Sequence, residues 1–286
     1  MARLFRTFLA IAFAAALHGA GAGTLGPDGV AGRMLPGKFV WFDLATEDPA
    51  AARAFYGAVF GWKFRAVDGA PAGYTLIENA SGKVGGLFRH ARPPGGKSGA
   101  RWLSLISVAD AAKTAQLVKE RGGQVLLAPK AVPGRGVHAV FRDDQGAVFG
   151  ALASESGDPA DTPVDDGDVF WLDLFTPNVA KSAAFYAAVA GFEVSVGEVA
   201  GRQRTLLASQ DIARAGIALL PAGSSRPGWL PYILVGDVRE TLRRARAAGG
   251  AILMEPRRDV LDGNVAVIAD PQGGVIGVVN WTEAAR

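Results

Sequence analysis

The 286 residues, 49% hydrophobic and 20% charged, suffice for two ordinary domains with cores of their own and argue against disorder over most of the chain. The formal charge of +3 includes Arg3 and Arg6 at the very start, so the rest is nearly neutral; without zinc-finger spacing, a phosphate-cradling glycine loop or a basic stripe, no nucleic-acid partner is expected. Cysteine is absent, which excludes disulfides, thiolate nucleophiles and cysteine-bound metal.

Arg3 and Arg6 form a short positive region, Phe8 to Leu17 is an apolar stretch too short to span a bilayer, and Ala20-Gly21-Ala22 supplies small residues of the A-x-A type. Residues 1–22 therefore read as a secretory signal, cleaved after Ala22. The expected product is periplasmic or secreted, with no stable membrane insertion afterwards. An uncleaved anchor is the alternative; a lipoprotein is excluded because no Cys follows the apolar region.

From Trp41 the chain reads WFDLATEDPAAARAFYGAVFGW, and from Trp171 it reads WLDLFTPNVAKSAAFYAAVAGF. Trp, Asp, Leu, Thr, Ala, a Phe-Tyr pair, Val and Gly recur in step. Each stretch opens with a strand. Asp48, followed by Pro49, caps the helix after the first one, and Gly61 stops it; Asn178 and Gly191 play the same parts in the second. Strand-like runs follow, such as Tyr74 to Glu78 and Lys83 to Phe88, parted by Asn, Ser and Gly turns. Trp102 and Trp229 each open another apolar run that leads to a helix ending at a double glycine, Gly122-Gly123 or Gly249-Gly250. DDQGAVFG from Asp143 and DPQGGVIG from Asp270 close the two halves. So many matches in the same order mark a tandem duplication. The expected domains cover 36–155 and 166–286, joined by an exposed linker at 156–165 rich in Asp, Pro, Gly and Thr. Each is α+β, built of two βαβββ modules.

The AFYxAVxG helix endings, the Gly-Gly stops and the DxQGxVxG hairpins resemble the vicinal-oxygen-chelate superfamily of glyoxalases, extradiol dioxygenases and bleomycin- or fosfomycin-resistance proteins. The tandem form is similar to two-domain glyoxalase-like proteins. The resemblance implies a curved mixed sheet in each domain, with helices on its convex face and a divalent metal on its concave face. It places the metal ligands on the first strand, on the strand opening the second module and on the last strand. Those positions here are Trp41 and Trp171, Leu103 and Leu230, and Gly150 and Gly277. None carries a ligating atom, so no metal and no other cofactor is expected.

Apolar replacements on that face suit an organic ligand better than an ion. Strand alternation directs Phe39, Trp41 and Asp43 inward in the first half, with Val40, Phe42 and Leu44 under the helix. In the second half it directs Trp171, Asp173 and Tyr232 inward, and Phe170, Leu172 and Leu174 outward. Asp43 and Asp173, each beside an indole, are the candidate acid-base residues; the plainer alternative is a structural carboxylate hydrogen-bonded to backbone or Arg. His90 and His138 lie in no nucleophile-base constellation and read as solvated or satisfied side chains. The basic loop from Arg89 to Arg101 could attract an anionic ligand, but its default reading is a solvated charge run. The expected function is binding of a small organic molecule. A metal-independent lyase or isomerase using Asp43 or Asp173 and a degenerate protein-interaction module are the alternatives, and a homodimer is left open.

Overall fold

A computed structural model describes residues 25–67, 70, 73–91, 99–199, 202–223 and 226–281; the expected signal and residues 92–98 of the basic loop lie outside them. In the first half, β1 (Phe39–Thr46), α1 (Pro49–Phe60), β2 (Lys63–Ala66), β3 (Thr75–Asn79) and β4 (Gly82–Arg89) form one βαβββ module. The next module comprises β5 (Arg101–Ser107), α2 (Ala111–Glu120), β6 (Gln124–Val132), β7 (Gly136–Arg142) and β8 (Val148–Ser154). The second half repeats both, first as β9 (Val169–Thr176), α3 (Val179–Ala190), β10 (Glu193–Val199), β11 (Arg202–Ser209) and β12 (Ile212–Leu219). It ends with β13 (Gly228–Leu234), α4 (Val238–Ala247), β14 (Ala251–Met254), β15 (Val265–Ala269) and β16 (Val275–Val279). Each half makes one eight-stranded mixed sheet, ordered β2-β3-β4-β1-β5-β8-β7-β6 and β10-β11-β12-β9-β13-β16-β15-β14. The opening strands of its two modules lie antiparallel at the centre. Among the described residues no helix is long and apolar enough to cross a membrane.

The helix signals act as their chemistry dictates. The Asp48 carboxylate accepts from the amides of Ala50 and Ala51, and Asn178 accepts from Lys181. Gly61 and Gly191 end their helices at φ of 71° and 74°, a left-handed conformation that a side chain would oppose. The helices cover the convex faces, and those faces turn toward each other: α1 abuts α4, α2 abuts α3, and buried residues of both halves form one continuous core. The recurring Phe-Tyr pair serves this junction. The Tyr56 hydroxyl donates to Asp270 at 3.0 Å and that of Tyr186 donates to Asp143 at 3.1 Å, each reaching the DxQG hairpin of the other half.

The linker is less exposed than its composition suggests. Asp158 is buried and accepts from the Leu35 amide at 2.6 Å and from the Ser107 hydroxyl at 2.5 Å. It thereby fastens residues 25–37, most of which precede the expected domain start at 36, across the first half. Residues 161–166 are exposed, though Asp161 among them pairs with Lys38 and Arg214.

Candidate functional site

Trp41 and Trp171 project onto the concave faces, as alternation requires, but the residues before them do not follow it. The β1–β5 ladder slips between Phe39 and Trp41, leaving Val40 as a bulge, and the β9–β13 ladder slips in the same way at Phe170. A bulge adds one residue and reverses parity on its far side. Phe39 accordingly lies on the helix side, its ring 6.4 Å from Phe192 and 5.0 Å from Trp229, and is not a concave-face residue; Val40 takes its place there. Phe170, expected under the helix, instead lines the second concave face, 5.4 Å from the Trp281 ring.

The three positions at which the resemblance places metal ligands do come together on each sheet: Asp43, two residues beyond Trp41, faces Leu103, Leu105 pairs with Gly150, and Asp173 faces Leu230 with Tyr232 beside Gly277. A Cβ added at Gly150 would lie 2.6 Å from Leu105 Cγ, and one at Gly277 would lie 2.2 Å from the Tyr232 ring. The third position thus has neither a ligating atom nor room for one. Among the described residues no three His, Asp or Glu side chains gather as a metal set. These residues do not fit a divalent ion.

In the first half the concave face is filled. Arg135, from the β6–β7 turn, is 1% exposed and lies over the Trp41 ring at 5.5 Å. Its guanidinium donates to Asp43 at 2.5 Å and to the Tyr74 hydroxyl at 3.2 Å, while the Trp41 indole and Tyr74 hydroxyl donate to the other Asp43 oxygen at 2.9 and 3.0 Å. Burial, with Asp43 adding to it, raises the Tyr74 pKa. His138 is buried beside this cluster; desolvation, reinforced by Arg135, pushes its pKa down to about 4, so it is neutral at neutral pH. Leu25 and Val132 close the remaining space, and the strap passes so near that a Cβ on Gly26 would lie 3.2 Å from Arg135 Cα. Asp43 is therefore a structural carboxylate, not an available base.

In the second half the same face is open. A hollow of about 1050 Å³ is walled by Trp171, Tyr232, Phe170, Leu230 and Trp281, among others. Two differences in the chain account for it. Strand β14 is only four residues long where β6 has nine, so the counterpart of the Arg135 turn becomes a longer segment that lays Val260 and Leu261 along the wall. No strap comparable to residues 25–37 crosses it among the described residues. The polar centre keeps its indole and carboxylate on the opening strand but changes their partners. Asp173 accepts from the Trp171 indole at 3.1 Å and from the Tyr232 hydroxyl, and Arg204 on β11 stands 3.6 Å away. Burial, then Asp173, raises the Tyr232 pKa well above its ordinary value. Of the sequence candidates, Trp171, Asp173, Leu230 and Tyr232 line this hollow, whereas Trp41, Asp43, Leu103 and Gly150 belong to the filled face. Arg135 and Arg204 went unnoticed in the sequence. Arg135 sits in a Pro-Gly-Arg-Gly turn that looks like surface, and Arg204 stands where the first half has Tyr74, so the repeat does not single it out.

The family model of the glyoxalase/bleomycin resistance protein/dioxygenase superfamily matches residues 38–150 and again 169–278. The chain belongs to that superfamily as a tandem member. It is 32% identical to the anthracycline biosynthesis protein DauV of Streptomyces sp. (strain C5) over 265 residues, 88% of this chain and 96% of DauV. Among solved structures it superposes on the Mn(II)-bound glyoxalase from Novosphingobium aromaticivorans with a TM-score of 0.59 at 20% identity, covering 86% of this chain and 83% of that one. It also superposes on the homoprotocatechuate 2,3-dioxygenase of Brevibacterium fuscum in complex with 3,4-dihydroxyphenylacetate, with a TM-score of 0.61 at 13% identity, covering 89% and 83%. At such identities these structures share the fold alone.

Proposed function

We propose that the protein is an exported binder of a flat organic molecule, held without a metal ion in the hollow of the second domain, with the first domain as its scaffold. The open hollow carries the proposal: its size and its aromatic walls with a few converging polar groups are the usual make-up of a small-molecule pocket. The name of DauV ties that relative to anthracycline biosynthesis, and anthracyclines are fused-ring aromatics, a shape that suits a hollow whose wall carries Phe170, Trp171, Tyr232 and Trp281. The test uses anthraquinone-2-carboxamide, a flat three-ring probe. It should quench Trp fluorescence and raise the melting temperature, by the equivalent of about 2.7 kcal/mol at a hundredfold excess over its Kd. Trp171→Leu should abolish the response in a folded protein, Trp41→Leu should not, and a chelator should change nothing. No response from the wild-type protein, or one that needs added divalent metal, would remove the proposal.

A metal-independent lyase or isomerase remains the second reading, because Asp173 and Tyr232 meet at the hollow's wall. Asp173→Asn separates the two: retained binding with lost turnover marks catalysis, and wild-type protein without turnover marks a binder.

Export rests on the Arg3–Ala22 segment together with the packing just beyond it. Leu25, three residues past the expected cleavage point, is already buried in the first domain, so cleavage after Ala22 would leave the mature chain starting next to its folded part. The amino terminus of natively produced protein should lie near Gly23. Protein recovered from the cytoplasm starting at Met1 would contradict export.

A further inference from the structure

The second hollow is apolar over most of its wall, yet two guanidinium groups face it, those of Arg204 and Arg226. Arg204 is loosely held. Its 3.6 Å distance to Asp173 contrasts with the 2.5 Å of Arg135 to Asp43, and its side chain keeps 30% exposure where Arg135 keeps 1%. Asp173, the one carboxylate lining this wall among the described residues, already accepts from the Trp171 indole and the Tyr232 hydroxyl, so it has little left for a cationic ligand.

Arg226 is the stronger observation. It is exposed at the rim, and among the described residues no carboxylate pairs with it. Its neighbours are cations of the first domain: burial, then the nearby Arg226 and Arg142, lower the pKa of Arg101. The next residue, Pro227, packs 3.8 Å from where a Cβ on Gly146 would stand, in the hairpin of the first domain, which fixes Arg226 at the junction of the two halves. An unpaired guanidinium at the rim and a loosely paired one on the wall of the same hollow leave positive charge that an anionic ligand would neutralise.

We propose that the ligand of the second hollow is an acidic ring compound, its rings against Trp171 and Tyr232 and its carboxylate, or an equivalent oxyanion, held by Arg226 and Arg204 as specificity-determining residues. This rests on the reading of that hollow as a ligand site. Guanidinium is suited to the task because its planar fork matches a carboxylate in two-point contact.

The test pairs two probes of the same shape, anthraquinone-2-carboxylate and anthraquinone-2-carboxamide, titrated against wild-type protein by Trp quenching. The carboxylate should bind about tenfold more tightly, an advantage typical of one charge-assisted hydrogen bond, and should lose part of it at about 1 M salt. Arg226→Gln should bring the carboxylate down to the affinity of the carboxamide without changing the latter. Arg226→Glu should reverse the order, and Arg204→Gln should act in the same direction as Arg226→Gln. Melting curves check that each variant is folded. Equal affinities in wild type, or a preference for the acid that survives Arg226→Gln and Arg204→Gln together, would overturn the inference while leaving the hollow a binding site. Binding of neither probe would overturn both.

Discussion

Asp43→Asn should lower stability by about 3–5 kcal/mol, whereas Asp173→Asn at the matching position should cost clearly less, because it strands no buried cation. The two residues stand at equivalent points of the duplicated sequence, and a sequence comparison would rank them alike. Their surroundings set them apart. Arg135 is 1% exposed, so removing Asp43, its one ion-pair partner among the described residues, leaves a charge in a desolvated cluster that water cannot reach. Arg204 is 30% exposed and already separated from Asp173 by 3.6 Å, so water takes over when the carboxylate is neutralised. Breaking one partner of a buried pair is costly mainly because the other is stranded, and removing both at once should recover most of the loss. The double variant Asp43→Leu, Arg135→Met is accordingly expected to regain at least half of the stability lost in Asp43→Asn. Urea denaturation followed by circular dichroism measures all three. A cost below about 1 kcal/mol for Asp43→Asn would mean that water enters the first concave face and that it is not filled.

The duplication, the two modules per half, the caps at Asp48 and Asn178 and the glycine stops were legible because each is a local signal: a residue type acting on backbone within four positions of itself. The inward direction of Trp41, Asp43, Trp171, Asp173 and Tyr232 was legible for a similar reason, since alternation is a local rule. It failed at Phe39 and Phe170, where a bulge inserts one residue, and Val and Phe at the bulged positions give no warning of it. Nothing local distinguishes the filled face from the open one. That difference arises from Arg135 reaching Asp43 across 92 positions, and from Asp158 fastening Leu35 across 123. Both are tertiary contacts made by residues whose flanking Pro and Gly mark only a turn. The linker misled for the same reason: its composition is that of a loop, and a loop can still be pinned by a single buried carboxylate.

The Phe-Tyr pair was conspicuous in both repeats, but its task lies between the halves, which leads to the prediction with the widest consequence. The whole chain should unfold in one calorimetric transition, and residues 166–286 produced alone should give no native near-ultraviolet spectrum. Separate domains would each present a helical face to water, and here those faces cover each other. Phe55 on α1 sits where a Cβ on Gly250 would come within 2.4 Å, and Phe149 of the first half meets the Phe185 and Tyr186 rings of the second at 6.2 and 5.2 Å. Trp102 donates to Tyr56 at 3.0 Å and Trp229 to Tyr186 at 2.9 Å, so each hydroxyl that reaches across is also held from its own sheet. Burial raises the pKa of Asp143 and of Asp270, the two carboxylates that receive those hydroxyls, which marks them as interior to the joint core. Phe55→Ala, a truncation worth about 3–5 kcal/mol in a packed core, should therefore lower the single transition as a whole, the second domain's Trp171 and Trp229 losing their native signal with it. Two calorimetric peaks, with only the first displaced by Phe55→Ala, would show instead that the halves fold independently and that the shared core contributes little to either.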